Sequence, residues 1–182
     1  MYMKQFKNLT KQQQWGIYGL IGILVIWGLV AIITSNNSQQ ALDNAKSAYS
    51  SGNIRVALEQ YEEITKGSNK NNPEAWNNLG NVYRDNANPE KALGAYKQAI
   101  NLKSDYEQAY RNLANLYLDL ALDNEDKRDD YLQEGIQILE GGKQSNPDSV
   151  VIIEDLIKFY DRIGDSATVN SYLQIREQLL NQ

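Results

Sequence analysis

The sequence predicts an all-α protein in which one N-terminal transmembrane helix precedes an α-solenoid of about four helix pairs. Three observations predict this fold class. A single uncharged apolar run lies near the N-terminus, similar residues recur 34 positions apart, and all three prolines follow an asparagine. No segment shows the two-residue alternation of apolar and polar side chains that is typical of a half-buried strand.

The composition limits the chemistry that this chain can perform. Its 182 residues include no Cys and no His, which excludes thiol and imidazole nucleophiles, Cys/His zinc sites, haem ligation and disulfides. An enzyme that uses carboxylates or Tyr is a distant alternative, because no such residues gather into a recognisable site. The net charge of −5 disfavours a nucleic-acid partner, since such proteins usually carry a basic face. We therefore expect a non-enzymatic protein without a cofactor, a metal or a small-molecule substrate.

The apolar run from Trp15 to Ile33 has 19 consecutive uncharged positions, of which 11 are Ile, Leu or Val. A helix of this length extends about 28 Å, which matches the hydrocarbon core of a bilayer. A buried core helix and a cleaved signal peptide are the alternatives. The run is longer than a usual signal-peptide core, and the residues after it do not form a small-residue cleavage site. The sequence therefore predicts an uncleaved signal anchor over residues 15–34.

The positive charges around this run predict its orientation. Lys4, Lys7 and Lys11 precede it, whereas Lys46 is the one lysine or arginine within fifteen residues after it. Because positive flanks resist translocation, residues 1–14 form a cytoplasmic basic tail and residues 35–182 lie in a periplasm, a lumen or the exterior. The expected location is a plasma, inner or other energy-transducing membrane. The short segment Ser35 to Ser38 is predicted to link the anchor to the first following helix.

The three prolines mark predicted helix starts in the soluble part. They occur in the tripeptides Asn72-Pro73-Glu74, Asn88-Pro89-Glu90 and Asn146-Pro147-Asp148. An asparagine cap, a proline with its φ angle already set and an acidic residue at the positive end of the helix dipole favour a helix N-terminus.

The soluble part contains an internal repeat. The clearest copy consists of Trp76, Leu79, Gly80, Tyr83, Ala92 and Tyr96. The next copy has Tyr110, Leu113, Ala114 and Tyr117 at the positions of its first helix, and the last copy has Ile153, Leu156, Ile157 and Tyr160 there. The last copy begins nine residues late, which places a nine-residue insertion in Leu120 to Asp130. A degenerate copy with Ala41, Ala45, Ala48, Ala57 and Tyr61 comes first. The predicted repeats cover about residues 38–71, 73–106, 107–149 and 150–182.

This pattern resembles the tetratricopeptide repeat family, whose signature is W-x2-L-G-x2-Y followed by A-x3-F. The match is strong from Pro73 to Leu102 and weaker at both ends of the array. The resemblance implies helix-turn-helix units stacked into a solenoid, with the aromatic residues Trp76, Tyr83 and Tyr96 in the core. It also implies a role in protein-protein interaction, and the layout is similar to that of anchored repeat proteins near bacterial secretion and cofactor-assembly machinery.

In this family the concave face of the first helices commonly binds extended peptides. The matching positions here are Asn77, Asn78, Asn81, Arg84, Arg111, Asn112 and Asn115. An asparagine amide can donate to a peptide carbonyl and accept from a peptide N–H, and an arginine can bind a carboxylate. The alternative is an ordinary solvated helix surface, since the first copy offers Leu42, Asp43 and Lys46 at these places and the last copy offers Glu154, Asp155 and Lys158.

The insertion has two possible interpretations. Its acidic residues suggest calcium, but the spacing and the glycine of an EF-hand loop are missing. A lengthened helix with a solvated turn is favoured, and a loop that contacts a partner is the alternative.

These features together predict a membrane-tethered adaptor that serves as an accessory or scaffold component of a membrane protein complex. The alternative is a transient assembly or chaperone-like factor that binds extended client peptides in the groove. In both cases the partners are other proteins at the membrane.

Overall fold

The computed structural model of the chain describes residues 10–67 and 69–181, which form eight α-helices and one 3₁₀ turn. No residue in these two ranges lies in a strand. The helices are α1 (Lys11–Ser50), α2 (Ile54–Lys66), α3 (Pro73–Asp85), α4 (Pro89–Leu102), α5 (Glu107–Asp123), α6 (Arg128–Ser145), α7 (Val150–Arg162) and α8 (Ser166–Leu180), and the 3₁₀ turn is Glu125–Lys127.

The chain divides into two compact units, Met1–Ala41 and Leu42–Gln182. The described part of the first unit is the N-terminal portion of α1. Its large apolar side chains are exposed, with Trp15 at 75%, Leu24 at 71% and Trp27 at 70%. By length and composition α1 is able to cross a membrane. Residues 1–9 of the predicted basic tail, with Lys4 and Lys7, lie outside the described residues.

The predicted linker Ser35 to Ser38 lies within α1 and does not interrupt it. Since the sequence has no glycine or proline between Gly28 and Gly52, nothing in this stretch breaks a helix. The expectation that these four residues separate the anchor from the first following helix is therefore wrong, because one helix covers Lys11–Ser50.

The second unit is an array of four helix pairs. Repeat 1 consists of residues 42–50 of α1 with α2, repeat 2 of α3 and α4, repeat 3 of α5 and α6, and repeat 4 of α7 and α8. From α2 onward each helix contacts the next, and the first helix of repeat 3 also contacts the first helices of repeats 2 and 4. Two bonds join α1 to α3: Lys46 Nζ lies 2.5 Å from Glu74 Oε1, and Tyr49 Oη donates to Asp85 Oδ2 at 2.6 Å.

Two of the three predicted helix starts are confirmed. Asn72 Oδ1 accepts two backbone N–H bonds at the start of α3, and Asn88 Oδ1 accepts one at the start of α4. The third, at Pro147, is wrong, because α7 begins at Val150 with Ser149 as its cap. Asn146 instead ends α6, where its Nδ2 donates to the Gly142 carbonyl at 3.2 Å.

The first helix of repeats 1, 2 and 4 ends in the same turn. Gly52, Ala87 and Gly164 have φ angles of 75°, 55° and 78°. In each case the next N–H donates to a carbonyl in the last turn of the helix, from Asn53 to Ala48, from Asn88 to Tyr83 and from Asp165 to Tyr160. This is a Schellman cap, whose left-handed position favours glycine because a Cβ there is strained. Ala87 occupies it without that advantage.

The nine inserted residues replace this turn in repeat 3. They lengthen both helices, so that α5 has 17 residues and α6 has 18, compared with 13 in α3 and 14 in α4. The 3₁₀ turn joins them, and Arg128 Nη2 donates to the Arg162 carbonyl at 3.2 Å. The structure agrees with the interpretation of a lengthened helix and a solvated turn.

The core lies between the helices of the array. Tyr96, Leu113, Leu139 and Leu156 are each 0% exposed. The expectation that all repeat aromatics are core holds for Tyr96 but not for Trp76 and Tyr83, which are partly buried. Both place a polar edge at the surface: Trp76 Nε1 donates to the Lys70 carbonyl and Tyr83 Oη to Glu62 Oε1, each at 2.7 Å.

Candidate partner-binding face

Asn112 joins the first helices of repeats 2 and 3. Its Nδ2 donates to Asn77 Oδ1 at 2.9 Å and to Asn81 Oδ1 at 3.1 Å, and its Oδ1 accepts from Gln108 Nε2 at 2.9 Å. Asn112 is 8% exposed and Asn77 is 3% exposed. Because a side-chain amide has two hydrogens to donate, Asn112 has none left for a peptide.

Tyr96 completes this amide network from the second helix of repeat 2. Its hydroxyl donates to Asn81 Oδ1 at 2.8 Å. Burial raises the pKa of Tyr96 well above its usual value, so the hydroxyl remains a donor at any physiological pH. The Asn81 oxygen therefore accepts two internal bonds, and the network serves first as a joint between repeats.

Arg111 is also held within the array. Its Nε donates to Asp155 Oδ2 at 2.7 Å, and Lys158 Nζ lies 2.7 Å from Asp155 Oδ1. The Asp155 side chain is only 4% exposed, and a buried carboxylate of this kind needs its cations. Arg111 therefore joins repeat 3 to repeat 4.

Arg84 is apart from the other predicted residues. It lies in the last turn of α3, and its Nε is 3.5 Å from Asp85 Oδ1 in the same turn. No bond connects it to the amide network within the residues that the structure describes.

Asn78 and Asn115 are the predicted residues with hydrogen-bonding capacity to spare. Asn78 accepts one long bond from Asn77 Nδ2 at 3.5 Å, and its side chain also faces the buried Tyr61 hydroxyl, where it partly offsets the rise that burial causes in the pKa of Tyr61. The Asn115 amide bonds to no other side chain among the described residues. Both are partly buried, one on each of two adjacent first helices. Lys158, whose side chain is 63% exposed, adds an accessible cation on the first helix of repeat 4.

The structure thus brings Asn77, Asn81 and Asn112 together, fixes Arg111 elsewhere and leaves Asn78 and Asn115 open. Sequence reasoning assigned no role to Gln108 or Asp155. The sequence did contain a signal for Asp155. It lies 43 residues after Asn112 and is therefore the equivalent residue of repeat 4, and the neighbour of Asn112 in repeat 3 is Arg111, which has the opposite charge. Nothing in the sequence distinguished Gln108 from the other glutamines of the chain.

Metal-binding chemistry finds no support in the described part of the chain. In residues 10–67 and 69–181, no three His, Cys, Asp or Glu side chains are grouped so that they could hold a metal ion. The acidic residues around the 3₁₀ turn do not form such a group.

Comparisons with known proteins agree with this architecture. Residues 42–107 match the family model described as a tetratricopeptide repeat. A thermophilic TPR protein of Thermus thermophilus superposes with a TM-score of 0.64, at 21% identity over 80% of this chain and 75% of that chain. The array has the fold of a tetratricopeptide-repeat solenoid, and residues 42–107 also match that family in sequence. The sequence match covers repeats 1 and 2, whereas repeats 3 and 4 share the fold alone.

Two further comparisons concern proteins of known partners. Superkiller complex protein 3 of Homo sapiens is 33% identical over 85 residues, which is 47% of this chain but 5% of that protein. The first TPR of Spaghetti, solved with an HSP90 peptide, has a TM-score of 0.57 at 18% identity, over 70% of this chain and 98% of that chain. Tetratricopeptide repeats are mainly non-catalytic modules that mediate contacts between proteins.

Proposed function

We propose that this chain is a non-enzymatic, membrane-tethered adaptor that holds another protein as an accessory or scaffold component of a membrane protein complex. The apolar portion of α1 is the anchor, the N-terminus is cytoplasmic, and the repeats lie on the other side of the membrane. The observation that carries the proposal is the exposure of the anchor's apolar side chains. From Trp15 to Ile33 its large apolar residues are 48% or more exposed, with the exception of Ile17, which is partly exposed.

The exposed apolar surface requires a covering. Monomeric soluble proteins rarely expose a continuous apolar surface of this extent, whereas a bilayer covers it completely. The lysines before the segment favour a cytoplasmic N-terminus, as the sequence predicts.

The partner-binding part of the proposal rests on the first helices of the repeats. Asn78 and Asn115 lie on adjacent first helices, and both keep amide hydrogen-bonding capacity that is available to an extended peptide backbone. The Spaghetti repeats provide a precedent for peptide binding by this fold. Confinement to the membrane raises the effective concentration of partners that are also membrane proteins.

Purification in a mild detergent tests the adaptor function. We expect a tagged full-length chain to recover a partner at fixed stoichiometry, and that complex should survive moderate salt. Recovery of a client at low and variable stoichiometry would support a transient assembly factor instead, and recovery of free monomer only would contradict both versions.

Protease treatment of spheroplasts tests the orientation. An array outside the cytoplasm is digested while the membrane is intact. Protection of the array until the membrane is dissolved would contradict the proposed orientation.

Substitutions on the binding face test the role of the two open amides. Asn78→Ala with Asn115→Ala should reduce partner recovery at least about tenfold without loss of helicity. Asn101→Ala with Asn170→Ala is the matched control, because these two asparagines are exposed on second helices. Equal recovery by both double variants would exclude the Asn78 and Asn115 amides from binding.

A further inference from the structure

A cavity of about 490 Å³ lies at the end of α5, against the turn between α3 and α4. Its walls include Ala87, Pro89, Leu116, Asp119, Leu122 and Asp123. We call it the α5-end pocket. It shares only Arg84 with the predicted peptide-binding residues.

The longer α5 of repeat 3 contributes one wall of this pocket. Asp119 is equivalent to Asp85, the last residue of α3, because the two lie 34 positions apart. In repeat 3 the helix continues to Asp123, so its extra turn extends beyond the point where α3 has already ended. Ala87 and Pro89, which follow α3, form the opposite wall.

The extra turn presents apolar surface to solvent. Leu122 is 63% exposed, whereas Leu116, which also lines the pocket, is 2% exposed. An exposed leucine beside a buried one provides a contact for an apolar side chain.

The charges of the pocket are unbalanced. Asp119 and Asp123 form no ion pair with any residue of the described chain, and the one cation in the wall, Arg84, pairs with Asp85. Asp119 and Asp123 are both exposed residues. Partial desolvation raises the pKa of Asp119, Arg84 lowers it, and the carboxylates of Asp123 and Asp85 raise it further. A cation that enters the pocket would relieve this unfavourable arrangement of negative charges.

We propose that the α5-end pocket is a second docking site, which takes a lysine or arginine side chain together with a neighbouring apolar side chain from a protein partner. The carboxylates of Asp119 and Asp123 bind the cation, and Leu116 and Leu122 contact the apolar group. The inference rests on the proposed adaptor function for its biological meaning, but the site is separate from the open amides of Asn78 and Asn115.

A model peptide tests the pocket on the full-length protein in a non-ionic detergent. The probe is acetyl-Gly-Leu-Arg-Gly-amide, and its counterpart has glutamate in place of arginine. With isotope-labelled leucine methyl groups, the arginine peptide should shift the NMR signals of Leu116 and Leu122, and the glutamate peptide should not. Asp119→Asn with Asp123→Asn should weaken binding at least about tenfold.

The matched control is Asp126→Asn with Asp130→Asn, which removes the same charge from exposed positions near the 3₁₀ turn. This variant should bind the arginine peptide within twofold of the unchanged protein. An equal loss in both double variants would show general attraction to an acidic surface and would overturn the proposal. Absence of methyl shifts in the folded protein would overturn it as well.

Sedimentation in the same detergent tests for another occupant. If a second copy of this chain fills the pocket, a concentration-dependent dimer forms and Asp119→Asn with Asp123→Asn abolishes it, which would overturn binding of a different partner. Failure of the pocket is distinguishable from failure of the adaptor function. In the first case the co-purifying partner is recovered equally by the pocket variant, and in the second case the peptide binds but no partner co-purifies.

Discussion

Repeats 2 and 3 have the same plan but distribute side-chain bulk differently. In repeat 2, Gly80 on the first helix faces Tyr96 on the second, and a Cβ on Gly80 would lie 2.5 Å from Tyr96 Cε1. In repeat 3 the equivalent residues are Ala114 and Leu139, which are both buried. The smaller first-helix residue, glycine in repeat 2, thus packs against the larger second-helix residue, tyrosine, whereas alanine in repeat 3 is paired with leucine.

The two repeats also present different groups to the repeat that follows. Repeat 2 offers Asn77 to Asn112, and repeat 3 offers Arg111 to Asp155. Equivalent positions of successive repeats therefore form the same inter-repeat contact with different residue types. Each predicted binding residue therefore has to be judged by its neighbour as well as by its place in the repeat.

The largest expected effect separates the two inter-repeat joints. Asp155→Ala leaves the Arg111 guanidinium without its carboxylate, and we expect a loss of about 3 kcal/mol in the free energy of unfolding. Asn112→Ala removes neutral hydrogen bonds only and should cost about 1–2 kcal/mol. Urea unfolding of the full-length chain in detergent, followed by circular dichroism, measures both. A larger cost for Asn112→Ala would reverse the ranking of the joints.

Substitution of Gly80 should have the next largest effect on the free energy of unfolding. Gly80→Ala should destabilise the protein by about 1–2 kcal/mol, because its overlap with the buried Tyr96 outweighs the better helix propensity of alanine. Gly94→Ala on α4 is the matched control, since a Cβ there meets nothing within 4 Å, and it should stabilise by up to about 1 kcal/mol. Adding Tyr96→Leu to Gly80→Ala should remove the steric part of the cost, as in repeat 3. If the double variant loses as much free energy of unfolding as the two single variants together, steric overlap is not the cause of the Gly80→Ala effect.

Alkaline pH should test the hydrogen bond between Tyr83 of repeat 2 and Glu62. Burial and the hydrogen bond to Glu62 raise the pKa of Tyr83 to about 12, compared with about 10 in the unfolded chain. The stabilisation is therefore complete below about pH 10 and is lost as the pH rises toward 12. Tyr83→Phe should cost about 1 kcal/mol at neutral pH and reduce this alkaline loss.

Tyr117 occupies the equivalent position in repeat 3, and burial raises its pKa as well. The corresponding control is Tyr117→Phe, followed by urea unfolding across the alkaline range. If Tyr83→Phe leaves the alkaline loss of stability unchanged, that loss is due to other tyrosines.

The smallest expected effect is a gain in stability. Ala87 has a φ angle of 55° in the turn where repeats 1 and 4 have glycine. Ala87→Gly should stabilise the protein by about 0.5 kcal/mol, because the relief of left-handed strain exceeds the entropy that glycine loses on folding. The reverse change, Gly52→Ala, should destabilise by a similar amount in a thermal unfolding scan. Two changes of the same sign would contradict the shared turn.

Most of the array was predictable because its signals are local or periodic. The 34-residue spacing of Trp76 and Tyr110 located the repeats, and the asparagines before Pro73 and Pro89 located helix starts. The helix start predicted after Asn146 was wrong because an asparagine side chain can cap either end of a helix. Which end it caps depends on where the preceding helix ends. Sequence patterns do not contain that information.

The candidate site was less predictable because its residues bond across repeats. The helix face of Asn77, Asn81 and Asn112 follows from spacing, but their mutual hydrogen bonds depend on the separation and rotation of two helices. The same holds for Asn78 and Asn115, whose availability emerges only after the other amides are accounted for. The role of all seven predicted residues in partner binding stays a prediction.

The pairing of Arg111 with Asp155 has a consequence for the evolution of the array. Tetratricopeptide repeats are often regarded as modules that can be duplicated or shuffled. If repeat 4 followed repeat 2 directly, Asp155 would face Asn77, and a nearly buried carboxylate would lose its arginine at a cost of several kcal/mol. The order of the repeats is therefore encoded in their contacts, and a repeat that changes place has to bring its neighbour's matching residue with it.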